Sequence, residues 1–95
     1  MLHSIVQVFP QNDFTVYCYF DDGTIKLYDF KPLIGKGVFE QISNISDFIK
    51  KCTVMNSTLA WDISGTYDPY QCIDIAPETI YLESQDVKDP LSKSA

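Results

Sequence analysis

Apolar and polar positions alternate along the first third of the chain. "SIVQVF" (4–9) is β-branched and apolar, Pro10 stops it, and "PQND" is a polar turn. "FTVYCYF" (14–20) and "TIKLYDF" (24–30) repeat with a period of two, the spacing of strands with one buried face. Between them lies Asp21-Asp22-Gly23, and an Asp-Gly pair flanked by alternating runs is a hairpin signal. The pattern predicts a three-stranded antiparallel meander.

The turn also predicts a register. With Asp22-Gly23 as a two-residue type I′ loop, Asp21 pairs with Thr24, Phe20 with Ile25, Cys18 with Leu27 and Val16 with Asp29. That face is the better core candidate, and it turns Asp29 inward. A carboxylate there needs donors, which the N–H groups of residues 33–35 would supply as a structural cap. The opposite face pairs Tyr19 with Lys26, Tyr17 with Tyr28 and Thr15 with Phe30. It sets Tyr17, Tyr19 and Tyr28 on one aromatic surface, a candidate for contact with a partner. A slip of one residue exchanges the faces.

The period then changes. Pro32 ends the third strand, Gly35 and Gly37 bracket a loop, and one helical turn is expected over 38–42. "NISDFIKKC" reads as a short helix, with Asn44 as N-cap, Ile45, Phe48 and Ile49 on one face, and two lysines in the last turn. "TVMNSTLAWDI" reads as two strands turning at Asn56-Ser57, with Trp61 at a core position. "SGTYDPYQ" is a loop that puts Tyr67 and Tyr70 at the surface, a second candidate contact site. In "CIDIAPETIYLE" an extended piece leads to a final short helix opened by Pro77, with Asp74 near its positive end. From Ser84 the chain turns polar. The expectation is one compact α+β domain over 1–83, an antiparallel sheet with one short helix packed on it, and a flexible tail over 84–95.

Composition narrows the function classes. Ninety-five residues give room for one domain, and 45% apolar content with 14% aromatics can build its core. The net charge is −6, and all seven basic residues are lysines. Phosphate neutralisation needs a cationic stripe, so neither direct nucleic-acid binding nor attachment to an anionic membrane is expected. A basic protein partner suits the charge, and a chain this small is a candidate for homodimerisation. Cys18, Cys52 and Cys72 are an odd set without a CxxC. No signal peptide or long apolar run is visible, which points to a cytoplasmic protein with reduced thiols. On that reading the sequons at Asn44 and Asn56 carry no weight.

No catalytic constellation stands out. Asp21-Asp22 is better read as a turn than as a metal or acid–base pair, with Asp22 and Gly23 in structural roles. "GKGVF" lacks the spacing of a phosphate loop. His3 is the single histidine, and catalysis would need it beside a cysteine and an orienting carboxylate. Asp62, Asp68, Asp74 and Glu78 could gather around a hard cation, but solvated charge is the simpler account. No cofactor, metal site or enzymatic activity is expected.

The order of features resembles the small bacterial domain-of-unknown-function family numbered 2442. The shared pattern begins at Val8 and continues through Phe20-Asp21-Asp22-Gly23, Tyr28-Asp29-Phe30-Lys31-Pro32-Leu33 and Gly37-Val38-Phe39. Phe48, Leu59-Ala60-Trp61, Asp74-Ile75-Ala76-Pro77 and Ile80-Tyr81-Leu82-Glu83 complete it, over roughly 5–83. The stretch from Trp61 to Pro77 is longer than the commonest family version. The resemblance implies an α+β fold. Some members carry a helix-turn-helix segment, for which this chain has no room; others are encoded beside a second small protein as antitoxin-like partners. It brings no catalytic residues, and its recurrent turn formers and apolar positions read as structural: Asp29, Pro32, Trp61, Asp74 and Pro77 among them. The leading expectation is a non-enzymatic interaction module that binds a small toxin-like protein. The alternative is a small-ligand or sensor domain with its pocket beside Trp61 and the "TYDPY" loop.

Overall fold

The computed structural model describes residues 3–90. Strands β1 (Ile5–Pro10), β2 (Thr15–Phe20) and β3 (Ile25–Asp29) form the predicted meander. Two 3-10 turns follow, Lys31–Leu33 and Gly37–Ile42, then helix α1 (Ile45–Lys51). Strands β4 (Cys52–Met55), β5 (Thr58–Trp61) and β6 (Ile73–Asp74) come next, then helix α2 (Pro77–Glu83) and strand β7 (Gln85–Asp86). The architecture is α+β, with two antiparallel sheets ordered β1-β2-β3-β7 and β4-β5-β6. The Ile5 N–H donates to the Ser57 carbonyl at 2.8 Å, which joins the edge of the first sheet to the β4–β5 turn.

The predicted hairpin register is off by one. Val16 pairs with Tyr28, Tyr17 with Leu27, Cys18 with Lys26 and Tyr19 with Ile25. The loop has three residues, not two: the Phe20 N–H donates to the Thr24 carbonyl (2.9 Å) and the Gly23 N–H to that of Phe20 (3.1 Å). Gly23 at φ +88° is the only one of the three with positive φ, the signature of a turn closed by a glycine bulge. The type I′ turn expected there occurs instead at Asn56-Ser57, where both residues have positive φ (55° and 60°) between paired Met55 and Thr58. Because strand faces alternate, the slip carries Tyr28 inward and Asp29 outward.

The core lies where the first sheet's inner face meets α1, β5 and α2. Val16, Cys18, Phe30, Phe48, Leu59, Trp61 and Ile80 are fully buried. Rings dominate it: Phe30 lies 4.8 Å from Trp61 and 5.4 Å from Phe48, centroid to centroid. The Trp61 indole N–H donates to the Phe48 carbonyl at 3.0 Å, so the largest side chain is buried with its polar atom satisfied. Asn44 caps α1 as expected, accepting from the N–H groups of Ser46 (2.9 Å) and Asp47 (3.4 Å). Of the three apolar residues placed on one face of α1, Phe48 is buried while Ile49 is exposed.

The polar tail expected from Ser84 onward does not begin there. β7 pairs Leu27 with Gln85 and Lys26 with Asp86, and the Val87 N–H donates to the Ile25 carbonyl at 3.0 Å. The buried Lys26 ammonium explains this: it forms an ion pair with Asp86 and lies 4.5 Å from the centre of the Tyr81 ring. Residues 91–95 of that tail lie outside the described residues.

Candidate functional site

Three regions bring the predicted site residues together or apart. The first is the outer face of the meander. Phe9 pairs with Tyr17 across β1–β2 and their rings stack at 6.1 Å. Tyr17 pairs with Leu27 and Tyr19 with Ile25, so these side chains share a face that points away from the core. Tyr17 and Tyr19 are half-buried and Phe9 is exposed. The Tyr19 hydroxyl donates to Asp89 at 2.8 Å, which folds the chain after β7 across part of this face. Partial burial and that carboxylate push the Tyr19 phenol up to about 12, so it remains a donor. Tyr28, expected here, lies on the opposite face at 6% exposure.

The second region is the 64–71 loop. Asp62 organises it, accepting from the Ser64 hydroxyl (3.2 Å) and from the N–H groups of Gly65 (3.2 Å) and Tyr67 (3.0 Å). Tyr67 is exposed but anchored through its hydroxyl to the Val54 carbonyl at 2.7 Å, while Tyr70 is 95% exposed. Trp61, by contrast, is sealed in the core and lines none of the principal clefts, whereas Tyr67 and Pro69 of the loop border a cleft of about 400 Å³ with Ile5, Val54 and Met55.

The third region was not foreseen as a site. A cleft of about 520 Å³ opens between β3, the first 3-10 turn, β6 and α2. That is within the size of small-molecule sites, roughly 300–1,000 Å³. Tyr28, Leu33, Phe39 and Ile75 give it apolar walls; Asp29, Asp74, Thr79 and Glu83 give it a polar rim, with Pro32 beside them. Asp29 is therefore exposed, not a buried acid. Its Oδ1 accepts from the Lys31 N–H at 3.0 Å and from the Lys31 ammonium at 3.2 Å, a local cap one turn earlier than expected. Asp74, placed near the positive end of α2, makes no cap hydrogen bond to the helix, which opens on Pro77 with Glu78 in its first turn; its Oδ2 accepts from the Asn56 amide at 3.3 Å. Glu83 makes no hydrogen bond or ion pair among the described residues. The Tyr28 hydroxyl is likewise unpartnered. Its phenol is pushed up, by burial first and then by the Glu83 carboxylate, the Cys18 thiol and Asp29.

The family model described as "Protein of unknown function (DUF2442)" matches residues 5–86. The chain belongs to this family. No curated protein and no solved structure matches it. Four separate stretches of the matched region supply the cleft: Tyr28 to Leu33, Phe39, Asp74-Ile75 and Thr79 to Glu83. Residues that read as turn and core formers along the chain thus converge on one concave surface. No local spacing could have signalled this, because the outermost segments lie more than half the chain apart.

The remaining polar groups bond within the fold. His3 stacks on Tyr81 at 3.7 Å, its N–H donates to Glu78 Oε1 at 2.6 Å, and its Nδ1 bonds Glu78 Oε2. The Tyr81 hydroxyl donates to Asp22 at 3.2 Å, and Asp22 Oδ1 accepts from the Thr24 N–H at 2.9 Å. This network clasps the first strand and hairpin turn onto α2, and no cysteine joins it among the described residues. Cys18 and Cys52 are pushed up by burial, away from thiolate chemistry. Among the described residues no group of three or more His, Cys, Asp or Glu could hold a metal ion, and no helix is long and apolar enough to cross a membrane.

Proposed function

We propose that this chain is a non-enzymatic protein-interaction module, an antitoxin-like member of a pair whose partner is a small basic protein encoded beside it. The open Phe9–Tyr17 stack on the outer sheet face carries the reading. Aromatic rings flanked by half-buried Tyr19, Ile25 and Leu27 offer rigid contact area at low entropic cost, the chemistry enriched at binding hot spots. The net charge of −6 favours a basic partner and speeds its encounter. Tyr67 and Tyr70 are separately exposed on the loop, a secondary contact. The pairing would take place in the cytoplasm, and a homodimer through the same face competes with it.

Co-expression with the adjacent gene product, followed by pull-down and calorimetry, tests this. Association at micromolar concentration is expected, and Tyr17→Lys is expected to weaken it at least tenfold while the chain still unfolds cooperatively, with at most a small loss from the broken Phe9 stack. Failure of the wild-type pair to associate at micromolar concentration overturns the proposal.

A second reading, a small-ligand-binding or sensor domain, is favoured by the cleft lined by Tyr28, not by any pocket at Trp61.

A further inference from the structure

The cleft beneath α2 is bordered by one carboxylate, that of Glu83, and one hydroxyl, that of Tyr28, without a partner among the described residues. Tyr28 is more than nine-tenths buried, yet its hydroxyl has no hydrogen-bond partner and borders the cleft. The hydroxyl is not sealed from solvent, so it can bond a ligand that enters the cleft. Glu83 stands at the C-terminal end of α2, where the helix dipole disfavours an anion, and no basic residue occupies that last turn. Asp29 and Asp74 rim the same opening. Lys31 offsets Asp29 alone. Below the rim, Leu33, Phe39 and Ile75 are apolar.

From this combination we infer that the cleft binds an alkylguanidinium, with the flat cation between the Glu83 and Asp29 carboxylates and its apolar stem along Leu33, Phe39 and Ile75. Among the side chains that line the cleft only the hydroxyls of Tyr28 and Thr79 donate, while three carboxylates accept, so an anion is disfavoured and a ligand rich in donors is matched. A guanidinium presents several donors in a fixed fork suited to carboxylates, and its weak hydration and affinity for ring faces suit a site walled by Tyr28 and Phe39. An ammonium is a compact, strongly hydrated charge that pays more to enter such a half-apolar cleft. The chain has no arginine of its own, so the group comes from outside, as a free alkylguanidine or as an arginine side chain of a bound protein.

The inference rests on the ligand-binding reading and is independent of the outer sheet face. It is tested on the ¹⁵N-labelled full chain by NMR titration with agmatine, with the peptide acetyl-Gly-Arg-Gly-amide, and with the same peptide carrying uncharged citrulline. Saturable shifts of the Tyr28, Thr79 and Glu83 amides are expected with a guanidinium and not with citrulline. Agmatine binding alone identifies a free ligand; peptide binding alone identifies a partner's side chain. Glu83→Gln is expected to weaken binding about threefold or more, with melting not lowered, because Glu83 is exposed and its charge opposes the α2 dipole. Tyr28→Phe keeps the ring and tests the hydroxyl. Equal binding of the citrulline peptide overturns the cation assignment while leaving a ligand site standing. Absence of saturable shifts with every probe overturns both. Unchanged affinity in Glu83→Gln overturns the placement of the cation.

Discussion

Val16 stands directly opposite Tyr28 across the β2–β3 hairpin. That single pairing decides which aromatic residues face the core and which face outward. It exists because Asp21-Asp22-Gly23 forms a three-residue loop closed by a glycine at φ +88°.

Gly23 should accordingly be the sensitive position of the turn. A Cβ there meets nothing within 4 Å, so Gly23→Ala carries no steric clash with neighbours. Its cost is the backbone conformation alone, roughly 1–2 kcal/mol. Urea unfolding is expected to show this loss with an unchanged m-value. A variant as stable as the wild type would contradict the loop geometry.

Trp61 joins the second sheet to α1 through its bond to the Phe48 carbonyl. Trp61→Phe keeps a ring in the core but leaves that carbonyl without its donor and opens a small void. A loss of about 1–3 kcal/mol from the unpaired group is expected, read by circular dichroism in urea. Hydrogen exchange should quicken in α1 more than in β2, since α1 loses its tie.

Acid stability should depend on the His3–Glu78 clasp. The His3 ring and then its backbone N–H hold the Glu78 carboxyl below its ordinary value of 4.5. The unfolded chain therefore takes up that proton first as pH falls. The contribution is fully present above the ordinary carboxylate range and is lost as pH drops through the lowered folded value. Asp22, bonded to Thr24 and Tyr81 in the same network, acts in the same direction. Glu78→Gln should flatten the fall in melting temperature below about pH 5. A variant with the same acid slope as the wild type would show that the clasp does not couple to folding.

Much of the fold is legible in the chain because its signals are local. The period-two runs, the Asn44 cap, the Asn56-Ser57 turn position and Pro77 at the helix start depend on residues a few positions apart. So do the family segments, whose order identifies the fold class. The sequence by itself also determines the acidity, the absence of arginine and the aromatic supply of the core.

The register is where local reading fails, and for a physical reason. Asp-Gly serves either a two-residue turn or a three-residue loop with a glycine bulge, and the two differ by one residue. Packing chooses between them: the observed register buries Tyr28 beside Val16 and lets the Lys26 stem cover the sheet while its ammonium reaches Asp86 and Tyr81. That choice moved Tyr28 from the outer aromatic face to the wall of a cleft and turned Asp29 from a buried acid into a rim carboxylate. The cleft itself belongs to the tertiary structure alone. Its walls come from four segments that only the packing of α2 and the second sheet against β3 brings together, because side chains far apart in sequence acquire a common environment only when the backbone between them is fixed.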